Sequence, residues 1–212
     1  LRGSRSCQRR AQLGPAEPVG SLVLASASPR RADLLRAAGF AFTTRPAAIE
    51  EWPYGGGDPA RYAEDLARAK AAGVEGEVVV GADTIVVLDG EVLGKPRDHE
   101  EAASMLHRLS GRSHDVITAV AVKDARGLRS SHDRARVTFR PLPAGVIEAY
   151  AATDEPLDKA GSYALQGGAA GFVADLSGDP QTVIGLRISL LCQLLQFPAP
   201  CGKGQTGDGR QG

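Results

Sequence analysis

Apolar residues along this chain fall into two kinds of run. Short unbroken stretches, LVLA at 22–25 and VVV inside EVVVGAD at 77–83, have the pattern of strands buried on both faces, since a strand with one wet face alternates instead. Between them, apolar residues recur at helical spacing. The pattern predicts a strand over 21–26 and then a helix opened by Pro29 and stopped by Gly39, with Leu34, Leu35 and Ala38 on one face. It predicts a second strand over 40–45, a Gly-rich loop, and a helix capped by Asp58 ahead of Pro59 that runs to residue 72 with Tyr62, Leu66 and Ala69 on one side.

The strand at 77–83 ends in a carboxylate, and 84–94 continues it as a hairpin through an Asp89-Gly90 turn. A helix over 98–109, strands over 114–123 and 128–140 around a turn at 125–127, and a helix over 144–152 follow. The last elements are a strand near 171–176 and an apolar helix over 183–195. Buried strands of parallel type mixed with helices indicate an α/β sheet protein, with ligands expected beyond the carboxyl ends of the strands. No internal repeat is visible.

Residues 1–20 are Arg-rich, carry no acid before Glu17 and contain no apolar segment that could act as a secretory signal. They read as a disordered leader, with a transit peptide as the other reading. Residues 197–212 are rich in Gly and Pro and read as a flexible tail, which leaves 21–196 as the folded domain.

Composition narrows the function. The chain has 212 residues, the length of one ordinary domain, with 42% hydrophobic and 24% charged residues. Lys plus Arg and Asp plus Glu number 25 each, so no overall basic field draws in nucleic acid or an anionic membrane, and an anion has to be held by a local cluster. No apolar run is long enough to span a membrane. Cys7, Cys192 and Cys201 form no CxxC pair, which points to a reducing, cytoplasmic setting. The four histidines lack metal-ligand spacing, and the chain contains no GxxxxGK[ST], GxGxxG or GxSxG motif.

Several segments carry candidate chemistry. In ASPRR a strand gives way to a helix, where free backbone donors and the helix dipole favour an anion; Arg30 and Arg31 add planar cationic forks, and Ser26 and Ser28 add hydroxyls. Solvated arginines on an ordinary first turn are the alternative. Asp83 closes an apolar strand, a costly place for a carboxylate unless it pairs, binds metal or acts in catalysis, or caps the next turn. Lys95 in GKP could reach the same strand ends, and Asp158, Lys159 and Gln166 stand in a Gly-marked segment that suggests close backbone approach. Glu50 and Glu51 are either a solvated pair or hard oxygen ligands which, with Asp83, suit a magnesium-like cation that shares substrate phosphates.

In order, LASASPRR, GADTIV, GKP, LSGRSHDVIT, EPLDKAGSYALQG and GDPQTVIGL resemble the Maf family of nucleoside triphosphate pyrophosphatases over residues 22–195. The resemblance implies a Maf/ITPase-like mixed sheet flanked by helices, in a single domain with a substrate cleft. It also implies a metal-dependent hydrolase, using Mg2+ or Mn2+, that splits a triphosphate between its α and β phosphates. Such enzymes are regarded as house-cleaning activities, are commonly homodimers and are linked to control of septum formation. A non-catalytic nucleotide-binding regulator of cell division is the competing expectation.

Carried over to this chain, Asp83 matches the proton acceptor, Arg30 and Arg31 the phosphate-binding pair, and Lys70, Lys95 and, more loosely, Lys159 further phosphate-facing cations. Glu51 with Asp83 would hold the metal, and Glu50 is one residue from that place. Arg30, Thr84 and Gln166 resemble the subgroup acting on dTTP and UTP rather than the subgroup preferring 7-methyl-GTP. On that reading Arg31 grips phosphate while Arg30 also helps choose the base. The chain departs from the family pattern at the glutamate preceding Glu51, at Ala119 after Thr118, and at Arg187 after Gly185 and Leu186.

Overall fold

The computed structural model describes residues 21–197, so the expected leader, Cys7, Cys201 and all but the first residue of the expected tail lie outside the described residues. The chain runs β1 (Leu22–Leu24), α1 (Pro29–Ala37), β2 (Phe42–Thr44), α2 (Pro59–Ala72), β3 (Val78–Leu88), β4 (Glu91–Leu93) and α3 (His99–Leu109). It continues with β5 (Ser113–Asp124), β6 (Gly127–Phe139), α4 (Ala144–Ala151), β7 (Val173–Ser177), α5 (Pro180–Ile184) and α6 (Ile188–Leu195). Short 3-10 turns fill the stretch from Glu155 to Phe172. No helix among the described residues is long and apolar enough to cross a membrane.

The predicted start of α2 holds, but of its predicted face only Leu66 is fully buried, Tyr62 and Ala69 being half-buried beside an inner row of alanines. Asp58 caps α2 by accepting from the Ala60 amide, and Asp98 caps α3 by accepting from the Glu101 amide. Asp89 and Gly90, both at positive φ, make the tight turn between β3 and β4. Ser28 makes no side-chain cap on α1, whose first turn carries no acid, so the start of that helix is open to an anion.

Seven strands form one mixed sheet in the order β2-β1-β3-β5-β6-β7, with β4 added beside β3. Only β1 runs parallel to its neighbours, β2 and β3; every other pairing is antiparallel. The two unbroken apolar runs, at 22–25 and 78–80, are therefore parallel neighbours, as their pattern suggested, and the pairings that do not involve β1 are antiparallel. Those runs record burial on both faces, which helices impose here on antiparallel strands as well. Val79, Ile85, Ile117 and Ala119 face the alanines of α2, while Val80, Ala82, Val120 and Val122 face α1 and α6. A further cluster around Leu106, Phe139 and Ile147 lies under α3 and α4.

Two other expectations change. Asp83 sits in the middle of β3 rather than at a strand end, because β5 pairs with β3 without a break from Val79 to Val87. The single helix expected over 183–195 is two, broken at Gly185, whose φ of 122° ends α5.

Helix α2 lies close on β3 because its inner face is alanine: Ala60, Ala63, Ala67 and Ala71 are all buried. Opposite them is Gly81, where an added Cβ would stand 2.2 Å from the Ala67 carbonyl oxygen and 2.7 Å from the Ala71 nitrogen. Gly81→Ala must push the helix off the strand, an overpacking that costs about 1–3 kcal/mol. At about 2–4 °C per kcal/mol for a chain of this size, the melting temperature should fall by several degrees. An unchanged melting curve would show that α2 can move without cost.

Candidate functional site

The site forms at a gap in the sheet. On one edge of β3, β1 pairs with Val78–Val80 and β4 takes over only at Val86, leaving 81–85 without a strand neighbour on that side among the described residues. Side chains alternate across a strand, so Asp83 points toward α2 and Thr84 toward α1 and α5, yet both border the same opening. The opening leads to a cavity of about 350 Å³, within the size range of small-molecule sites.

Of the residues singled out from sequence, Ser26, Ser28, Arg30, Arg31, Glu51, Lys70, Asp83, Thr84, Lys95 and Lys159 all line this cavity. Gln166 does not; it is exposed, in the segment before Gly167. Glu50 is likewise exposed and outside the lining, so of the adjacent acids it is Glu51 that faces the cleft. The lining holds five cations, Arg30, Arg31, Lys70, Lys95 and Lys159, against the carboxylates of Glu51, Asp83 and Asp158. The protein has no net charge, but the cleft is positive.

Lys70, in the last turn of α2, joins two of those acids. Its Nζ donates to Asp83 Oδ1 at 2.6 Å and lies 2.8 Å from Glu51 Oε1. Asp83 is only 6% exposed. That burial raises its carboxyl pKa, against the charges of Lys70 and Arg31 and with a further push from Glu51. Burial also works to raise Glu51, but its bond to Lys70, helped by Lys95 and Arg31, prevails and holds its pKa below the ordinary value. The two acids are thus held apart: Asp83 is the readier to take a proton, and Glu51 stays ionised.

Arg31 is fixed on three sides. Nε donates to the Gly185 carbonyl at 2.9 Å, Nη1 to Ser26 Oγ at 3.3 Å and Nη2 to Thr84 Oγ1 at 3.2 Å. Burial, with Arg30 nearby, lowers its pKa against the opposing charge of Asp83, though a guanidinium remains a cation. Gly185 is needed twice here, for its positive φ and because a Cβ would stand 3.3 Å from Thr84 Oγ1 and 3.4 Å from Arg31 Nε. Lys159 is buried and donates to the Asp158 carboxylate and the Glu155 carbonyl.

The structure adds residues the sequence reading passed over. Val86, Val116, Tyr163 and Val183 give the cavity an apolar wall next to its charged end. Behind the wall, Tyr163 shares a 2.8 Å hydrogen bond with His114 Nε2, whose pKa burial pushes down to about 4, leaving it neutral. Thr118 is fully buried and bonded to Thr84. One polar residue inside the apolar run VITAVAV was a signal that could have found it.

Such a cleft suits an elongated anion with an apolar end, next to a buried carboxylate able to accept a proton. Comparison with known proteins agrees with that chemistry. A family model described as Maf-like protein matches residues 21–197. The chain is 48% identical over 181 residues to a dTTP/UTP pyrophosphatase of Pelotomaculum thermopropionicum, covering 82% of this chain and 95% of that one. It is 46% identical over 191 residues to a dTTP/UTP pyrophosphatase of Symbiobacterium thermophilum, covering 88% and 98%. A dTTP/UTP pyrophosphatase of Moorella thermoacetica is 50% identical over 183 residues, covering 84% and 94%.

Proposed function

The chain belongs to the Maf-like protein family, and from that membership we propose that it is a nucleoside triphosphate pyrophosphatase acting on dTTP and UTP. It hydrolyses the bond between the α and β phosphates and releases a nucleoside monophosphate and pyrophosphate. The observation that carries the reading is the buried Asp83 carboxylate, tied to Lys70 and opening into a cleft in which cations outnumber acids.

In the mechanism we propose, the triphosphate lies across the open start of α1, with Arg31, Arg30, Lys95 and Lys159 around its oxygens. Asp83 Oδ1 is taken by Lys70, which leaves Oδ2 to receive the proton of a water attacking the α phosphorus. No covalent intermediate is needed. The apolar wall around Val86, Val116 and Tyr163 is a place for a base to pack away from water.

Magnesium or manganese fits the donors present. Glu51 and Asp83 both turn onto a single ammonium, so the pocket between them already holds one positive charge. No group of three His, Cys, Asp or Glu side chains converges among the described residues, so a cation there would complete its shell from water and substrate phosphates, in the usual manner of magnesium. Held by Glu51 and Asp83, it would supply charge neutralisation for the phosphoryl oxygens. A homodimer working in the cytoplasm completes the proposal, carried by the family resemblance.

The purified protein with magnesium should convert dTTP and UTP to dTMP and UMP with one pyrophosphate per turnover, read by chromatography of nucleotide and phosphate products together. Orthophosphate and a nucleoside diphosphate instead would overturn the cleavage site. Nucleotide bound with no product at all would leave the non-catalytic regulator as the better reading.

A further inference from the structure

We propose that Thr118, braced by the short helix α5, is a positioning residue that aims Arg31 at the substrate phosphates; this rests on the pyrophosphatase reading above. Thr84, Thr118 and Asp133 occupy one row across β3, β5 and β6, directly paired in register. The flanking row, Val86, Val116 and Ala135, is apolar. A valine at 118 would continue that packing, and a buried hydroxyl in its place has to be satisfied by partners.

The proton directions along the row follow from its far end. The Thr182 carbonyl can only accept, so Thr118 Oγ1, 2.6 Å away, donates to it. That uses the one proton of Thr118, so in its 2.8 Å contact with Thr84 Oγ1 it is the acceptor and Thr84 is the donor. Thr84 then offers only lone pairs to the cleft, and Arg31 Nη2 donates to one of them. Free to rotate, the same hydroxyl could turn its proton toward the guanidinium and repel it.

Helix α5 holds the arrangement from the other side. Thr182 Oγ1 donates to Asp133 Oδ2 at 2.5 Å, and Arg187, where the family pattern differs, donates to the same carboxylate. So pinned, the segment delivers two carbonyls, Thr182 to Thr118 and Gly185 to Arg31 Nε. Three of the five N–H groups of Arg31 are thereby committed to protein, leaving one on each terminal nitrogen as a pair for two phosphate oxygens.

The test is steady-state pyrophosphate release from dTTP by Thr118→Val, Thr118→Ser and Arg31→Lys, and by Thr118→Val combined with Arg31→Lys, each with a thermal melt. Misplacing a reacting group by about 1 Å can cost about a hundredfold. Thr118→Val is therefore expected to lose about ten- to a hundredfold in kcat/KM, mostly in kcat, and Thr118→Ser to recover to within a few fold. With Arg31→Lys already present, Thr118→Val should cost almost nothing more, because its target is gone. A loss that persists in full on the Arg31→Lys background, or no loss on the wild-type background, overturns the proposal. Should Thr118→Val not fold, Asp133→Asn loosens α5 instead and must show the same dependence on Arg31. If the wild type releases no pyrophosphate, the parent reading fails by itself. Calorimetry of inorganic pyrophosphate binding then decides the positioning role: weaker binding by Thr118→Val supports it, and binding equal to wild type overturns it.

Discussion

Asp83→Asn should lose about a hundredfold to ten-thousandfold in kcat for dTTP, the usual cost of removing a general base, while melting no lower than the wild type. Asparagine keeps the shape and can still accept from Lys70, but it cannot take a proton from water. The stability half of the prediction follows from burial, which raises the Asp83 pKa above its ordinary value, helped by Glu51 and opposed by Lys70 and Arg31. A carboxyl whose folded pKa is raised contributes stability below its unfolded pKa, and that contribution is lost as pH rises through the folded value. At neutral pH the ionised Asp83 is therefore a cost to the fold, and an uncharged side chain removes it. In melts without added metal, the wild type should therefore lose stability relative to Asp83→Asn as pH rises through the folded carboxyl value. A melting point several degrees lower would show instead that Asp83 anchors α2 through Lys70 as a structural pair.

Arg31→Lys should cost about a hundredfold to a thousandfold in kcat/KM, the size of effect seen when a fixed donor to developing charge is removed. Charge is conserved in this change, so a purely Coulombic role predicts almost no loss. Arg31, however, bonds Gly185, Ser26 and Thr84 through three different nitrogens. A lysine has one nitrogen at the end of a flexible stem and cannot satisfy those three acceptors while still facing phosphate. Arg30, on the same helix turn and also lining the cleft, has none of these three anchors. Arg30→Lys is accordingly expected to lose less than about tenfold, with a change in preference between dTTP and other triphosphates. Equal losses at the two positions, measured by steady-state kinetics, would mean that the roles do not divide.

Much of the site was legible from order along the chain. ASPRR, GAD and GKP each admitted an ordinary explanation, and the structure brings their charged residues to one cavity. Glu51 is separated from Glu50 by its partner: it lines the cleft and pairs with Lys70, whereas Glu50 is outside the lining. Gln166 is the converse case, a position implied by resemblance whose side chain lies away from the cleft lining in this structure.

By itself the sequence determined the family, the Asp58 cap of α2, the Asp-Gly turn and the candidate ionisable residues of the site, because each rests on local stereochemistry or on an ordered set of motifs. Strand direction was within its reach only for the runs at 22–24 and 78–80, which do pair in parallel; β5 is antiparallel and as apolar, because helices on both faces bury either kind alike. The place of Asp83 inside β3 was beyond it, since that depends on β1 stopping early and β4 starting late along one edge of the sheet. Only the tertiary structure decided that Lys70 lies between Asp83 and Glu51, and that Thr118, Thr182 and Gly185 hold Arg31. Those contacts join residues as far as 154 positions apart, and hydrogen-bond direction is a property of such groups together, invisible in any one of them.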